Sequence, residues 1–188
     1  MAKKLSRRSV VASAALIPVS ALTVRAQAAA LPETERKLLE AFVDRLVPKD
    51  ELGPGAVECG AANYIDTQLA GALAAEKTNF VAGLASIDAF ARREHDGGFA
   101  DLPPEKRDAL MAAMEGGKAA GFANARAVFS RIRRLTLEGM FSDPHYGGNT
   151  NFAGWDLIRY PGPRLGSAAA DQQLKIAAKP YRRSAYGR

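Results

Sequence analysis

The chain has 188 residues, of which 47% are hydrophobic and 24% charged. That is enough for one domain, with the balance of a soluble globular protein, and no apolar stretch approaches the ~20 residues of a membrane-spanning helix. A single cysteine, Cys59, excludes an internal disulfide framework and a four-cysteine metal or iron–sulfur site, and no Cys-x-x-Cys-His is present for covalent haem.

The net charge of +6 is unevenly placed. Residues 1–28 carry five basic groups and no acid, residues 29–158 carry 14 basic and 19 acidic groups, and residues 159–188 carry seven basic groups and one acid. The body is therefore mildly acidic. No basic stripe interleaved with aromatics runs through it, which argues against a nucleic-acid partner.

The first element is an address. A basic start leads into an alanine-rich apolar middle, Val10 to Val24, interrupted by Ser13, Pro18, Ser20 and Thr23. Ser6-Arg7-Arg8 stands directly before it, the twin-arginine arrangement of bacterial export signals, with Val10 at the usual Phe position and Ala12 at the usual Lys position. Arg25 and then Ala26-Gln27-Ala28 follow, an A-x-A pattern that predicts cleavage after Ala28. This route moves folded proteins, often with a cofactor bound or a partner docked. The predicted organisation is a signal peptide over 1–28, a helical domain over 29–164 and a basic, flexible tail over 165–188.

The body reads as helices. Leu38, Leu39, Phe42, Val43, Leu46 and Val47 share one face between Pro32 and Pro48. After a loop with Gly53-Pro54-Gly55, a second helix is predicted over about 57–70, carrying Val57, Ala61, Tyr64, Ile65 and Leu69 inward. A third spans about 76–95 and stops at Gly97-Gly98. A fourth starts at Pro103-Pro104-Glu105 and runs to about 115, ended by Gly116-Gly117. A fifth, about 121–141, has Phe122, Ala125, Phe129, Ile132, Leu135, Leu137 and Met140 along its apolar side and Arg126, Arg131, Arg133 and Arg134 in solvent. No alternation persists long enough for a strand. The expected architecture is all-α, a compact bundle of about five helices.

After Phe141 the texture changes to an irregular segment rich in glycine and aromatics, with the only tryptophan. Such a segment in a small domain is commonly functional. Asp143, Pro144, His145, Tyr146, Gly147, Gly148 and Asn149, then Gly154, Trp155, Tyr160, Pro161 and Gly162, are the candidates for a partner interface. Trp155 and Tyr160 serve equally well as partner anchors or as a lid on the bundle.

The string Phe141-Ser142-Asp143-Pro144-His145-Tyr146-Gly147-Gly148-Asn149, followed by Gly154-Trp155 and Tyr160-Pro161-Gly162, resembles the gluconate 2-dehydrogenase subunit 3 family. The likeness extends to Leu31-Pro32-Glu33, Leu46-Val47-Pro48, Gly55-Ala56-Val57-Glu58, Tyr64-Ile65-Asp66 and Gln68-Leu69-Ala70-Gly71, and covers about 31–163. Arg159 departs from it, standing where the family commonly has glycine. The resemblance implies the small subunit of a membrane-associated flavin dehydrogenase complex, and the twin-arginine signal suggests that this chain escorts the folded flavoprotein through the twin-arginine translocase to the periplasm. An FAD-binding large subunit there oxidises a sugar acid or related polyol, and a multihaem cytochrome c subunit passes electrons to the membrane. It implies no catalytic, cofactor-binding or metal residue in this chain, and peripheral membrane association through the complex.

The residues themselves offer little chemistry. No strand–Gly-x-Gly-x-x-Gly–helix unit is present for a dinucleotide. His95 ends a helix, where a solvated histidine is ordinary. Asp143, His145 and Tyr146 define the alternative, a free-standing periplasmic enzyme using an acid/base group; a stand-alone periplasmic binding protein is the other. Cys59 reads as a small buried residue or as a thiol pairing with a partner chain.

Overall fold

A computed structural model of the protein describes residues 30–164, 166, 169 and 179–187. Arg7 and Arg8, expected to form the export signal, and Ala26 and Ala28, expected to mark its cleavage, lie outside them. Six α-helices make up the domain: α1 (Glu33–Leu46), α2 (Ala61–Ala70), α3 (Lys77–His95), α4 (Pro104–Glu115), α5 (Ala125–Phe141) and α6 (Ala153–Leu157). Short 3-10 turns at Ala74–Glu76, Phe99–Asp101, Pro144–Tyr146 and Thr150–Phe152 join or flank them. Among the described residues there is no strand, so the all-α expectation holds.

The helix boundaries follow from local chemistry. Pro32 stands at the N-cap of α1, and Glu33 and Glu35 lie in the first turn, where negative charge meets the positive end of the helix dipole. Pro104 opens α4 at a position where a missing N–H costs nothing. Asp96 ends α3 in the left-handed conformation, with Arg92, Arg93 and His95 in the last turn.

Two starts differ from the sequence reading. The second helix begins at Ala61, not near 57, because Gly60 is left-handed at φ 73°. A side chain there would meet Thr150 Oγ1 at 2.5 Å, so Gly60 breaks the chain direction to let the later segment approach. Residues before it form turns, and Val57 is 46% exposed rather than inward. The fifth helix begins at Ala125, beyond Gly121 at φ 70°. Leu137, placed inward by periodicity, is 39% exposed. The sixth helix, only five residues long, is below what periodicity can detect.

The core sits around Phe42. Its ring lies 5.5 Å from Phe99 and 6.1 Å, edge-on, from Phe129. Leu39 and Val43 of α1, Ile65 and Leu69 of α2, Leu84 and Ile87 of α3, Met114 of α4, and Ile132, Leu135 and Met140 of α5 are buried around it. The most extensive helix–helix contact joins α2 to α5. Gly139 makes it possible, since a Cβ there would stand 2.9 Å from Tyr64 Cβ and 3.0 Å from Ala61 Cα. This pair forms the floor on which the irregular segment rests.

Candidate partner-facing segment

The chain leaves α5 at Ser142 and folds back over its last turn. Asn149 organises the return. Its backbone is left-handed at φ 45°, a conformation asparagine tolerates better than most residues. Its N–H donates to Gly139 O at 2.7 Å, and its Nδ2 donates to Ser142 O at 2.9 Å. Its Oδ1 accepts from the N–H groups of Gly154 (2.9 Å) and Trp155 (3.4 Å), satisfying donors at the start of α6 that no helical carbonyl reaches. One fully buried side chain thus ties the end of α5 to the beginning of α6.

Glycines let the two backbones touch. A Cβ on Gly148 would stand 2.2 Å from Gly139 O, and one on Gly154 would stand 1.8 Å from Met140 O. Side chains of α2 hold the near edge: Asn63 Nδ2 donates to Gly147 O at 2.6 Å and Gln68 Nε2 to Tyr146 O at 3.1 Å. Thr150 N donates to Cys59 O at 3.1 Å. Cys59 is fully buried, and burial, with Glu58 adding to it, pushes its thiol pKa up, which disfavours the reactive thiolate. Tyr64 donates to Glu138 Oε2 at 3.2 Å, and burial together with that carboxylate raises its pKa to about 12.

Trp155 resolves as the lid of the bundle. It is 6% exposed, and its indole N–H donates to Phe141 O at 2.9 Å. Phe152 lies 5.3 Å from it and Tyr160 4.9 Å, edge-on. Of the sequence candidates, Gly148, Asn149, Gly154, Trp155 and Gly162 are buried, and Asp143, Pro144, Gly147 and Pro161 are half-buried. His145, Tyr146 and Tyr160 face solvent. The buried members shape a surface, and the exposed ones present it.

Asp143, His145 and Tyr146 are not joined as a proton relay. Asp143 Oδ1 accepts the backbone N–H of His145 at 2.9 Å, and Oδ2 accepts that of Ala185 at 2.8 Å. Burial pushes the Asp143 carboxyl up, but hydrogen bonds from the Ser184 hydroxyl and those two N–H groups outweigh it, leaving the carboxyl below its ordinary range. The His145 ring stacks on Tyr186 at 4.4 Å, and the Tyr146 hydroxyl pairs with that of Tyr186. Among the described residues no group of three or more His, Cys, Asp or Glu side chains is placed to hold a metal ion.

Two features escaped sequence reasoning. Residues 179–187 lie back across the segment: Tyr181 N donates to Pro161 O at 2.7 Å, and Arg182 grips Asp156 through two nitrogens at 3.3 and 2.6 Å. Gly162, at φ 92°, leaves room that a Cβ would fill at 2.1 Å from Tyr181 O. No spacing rule links residues so far apart. Leu52, 82% exposed, is the second. It sits next to Gly53, whose Cβ position lies 2.9 Å from Leu157 Cδ1, so Leu52 and exposed Ile158 flank one contact.

No curated protein and no solved structure matches the chain significantly. Among the described residues no helix is long and apolar enough to cross a membrane. The family model for gluconate 2-dehydrogenase subunit 3 matches residues 33–162, from the first residue of α1 to the glycine that admits the returning tail. The chain belongs to the gluconate 2-dehydrogenase subunit 3 family, and is thereby an accessory subunit of a multi-subunit dehydrogenase.

Proposed function

We propose that this chain is the non-catalytic small subunit of a periplasmic, membrane-associated gluconate 2-dehydrogenase-like complex. It packs on an FAD-binding large subunit, stabilises it, and lends it the twin-arginine signal for export as a folded pair. FAD sits on that large subunit and haem c on a cytochrome subunit. The family match over the whole helical body carries this reading. The leader with Arg7 and Arg8 supports the escort role. The docking surface is the exposed rim of the locked segment: His145, Tyr146 and Tyr160, with Leu52 and Ile158 beside α6. Large apolar and aromatic side chains held outward on a rigid base are the anchors that interfaces favour.

Co-expression with the large subunit tests it. Affinity purification through this chain is expected to bring down a protein with flavin absorbance. Leu52→Asp with Ile158→Asp is expected to lose that protein while helical circular dichroism stays unchanged. Arg7→Lys with Arg8→Lys is expected to hold the large subunit in the cytoplasm. Export of an active large subunit in cells lacking this chain would overturn the escort role.

A further inference from the structure

The strap formed by residues 179–187 lies outside the stretch 33–162 that the family model matches, whereas Asp143, His145, Tyr146, Asp156 and Pro161, which receive it, lie inside. Two carboxylates take its polar groups. Asp156 meets Arg182 through both carboxylate oxygens, the planar pairing that suits a guanidinium. Asp143 accepts the N–H of Ala185 at 2.8 Å and the hydroxyl of Ser184, which is buried against it. The Tyr186 ring covers one face of the His145 imidazole, with ring centres 4.4 Å apart and planes 22° from parallel, and its hydroxyl pairs with that of Tyr146. The body thus offers, side by side, a place for a guanidinium, a place for a small hydroxyl residue and a flat face for a phenol ring.

The grip is open to water. The side chains of Arg182 and Asp156 are 59% and 37% exposed, and Tyr186 is 55% exposed. Exposed ion pairs and solvent-facing hydrogen bonds contribute little net. The segment beneath is tied by the buried bonds of Asn149, so the strap is the part that opens first. It nevertheless lies on His145 and Tyr146, two residues of the docking surface described above.

We propose that Asp143, His145, Tyr146 and Asp156 form a recognition face for a cationic, tyrosine-bearing peptide element, that the strap is its occupant in the free subunit, and that the large subunit docks by replacing the strap with an element of the same chemistry. Releasing the strap uncovers two carboxylates beside an imidazole and a phenol. An incoming element therefore needs a cation for Asp156 and a flat ring for His145.

This inference rests on the docking reading, and its test separates the two. Affinity for the purified large subunit is measured by titration with the full-length chain. Arg182→Ala with Tyr186→Ala removes the ion pair and the stacked ring from the strap and leaves the receiving face whole. A strap closed on about four in five free molecules raises the apparent Kd about fivefold. The strap variant is therefore expected to bind about fivefold more tightly, with helical circular dichroism unchanged. Adding Asp156→Asn takes away the carboxylate that meets the incoming cation, and is expected to weaken binding about tenfold. Amide exchange reads the wild-type chain directly. The stretch carrying the Tyr181 and Ala185 N–H groups is expected to exchange slowly in the free subunit and fast in the complex, while the Asn149 N–H stays slow in both. A strap variant that binds no tighter, an Asp156→Asn change without cost, or a strap that stays protected in the complex overturns the inference and leaves the docking reading intact. A large subunit that binds neither the wild-type chain nor the strap variant overturns both.

Discussion

The bundle of α1–α5 and the segment that folds over it are held by different physics. Around Phe42 the contacts are apolar, numerous and interchangeable: Leu39, Val43, Ile65, Leu84, Ile87 and Leu135 each contribute a share. Between Ser142 and Gly162 the structure hangs on a few polar atoms and on the absence of Cβ atoms. Asn149 alone takes part in five hydrogen bonds, and Gly148 and Gly154 each stand where any side chain collides with carbonyl oxygen. Dispersed packing tolerates change of shape at constant volume. Concentrated hydrogen bonding does not, because a buried polar group left unpaired costs its full desolvation.

The sharpest way to break this comparison is Gly154→Ala. One methyl group, harmless on most helices, would lie 1.8 Å from Met140 O, which is backbone and cannot rotate away. Either α6 lifts off α5 or α5 bends. We expect a loss of about 4 kcal/mol, read as a melting temperature about 12 °C lower, together with loss of the co-purified flavoprotein. A change below about 1 kcal/mol would show that α6 is not seated as described.

Next in size is a pair of near-isosteric exchanges, one in each region. Asn149→Asp keeps the shape and the Oδ1 acceptor but replaces the Nδ2 donor with oxygen, facing Ser142 O across 2.9 Å. A cost of about 3 kcal/mol is expected, or about 9 °C in melting temperature. Leu39→Met, equally buried in the bundle, should cost about 1 kcal/mol. Equal costs would mean that the two regions share one mode of stabilisation after all.

The same division explains what could be read from the amino acids. Helices α1, α3 and α4 were legible because their apolar residues repeat at helical spacing and proline or glycine punctuates their ends. Val57 was misplaced because a period carried through Gly60, where the backbone turns left-handed. In the segment the glycines and aromatics announced that something special was built there. They did not say which would be inside, because the burial of Asn149 and Trp155 depends on carbonyls of α5 that only the fold brings near.

The smallest expected effect is a gain, and it comes from the one place where the family resemblance failed. Arg159 has φ 55°, a left-handed conformation, and its side chain is in solvent. An L-residue other than Asn or Asp pays about 1–2 kcal/mol there. Arg159→Gly removes that strain but gives the unfolded chain more freedom, which returns about 0.5–1 kcal/mol. The net is a stabilisation of about 0.5–1 kcal/mol, or a melting temperature about 2 °C higher. Phe152 is left-handed too, at φ 63°, but its ring packs 5.3 Å from Trp155. Phe152→Gly relieves the same strain and loses that ring, at about 3 kcal/mol or more, so it should destabilise. Opposite signs at two positions with one backbone conformation would show that side-chain packing, and not the turn itself, decides what this segment tolerates.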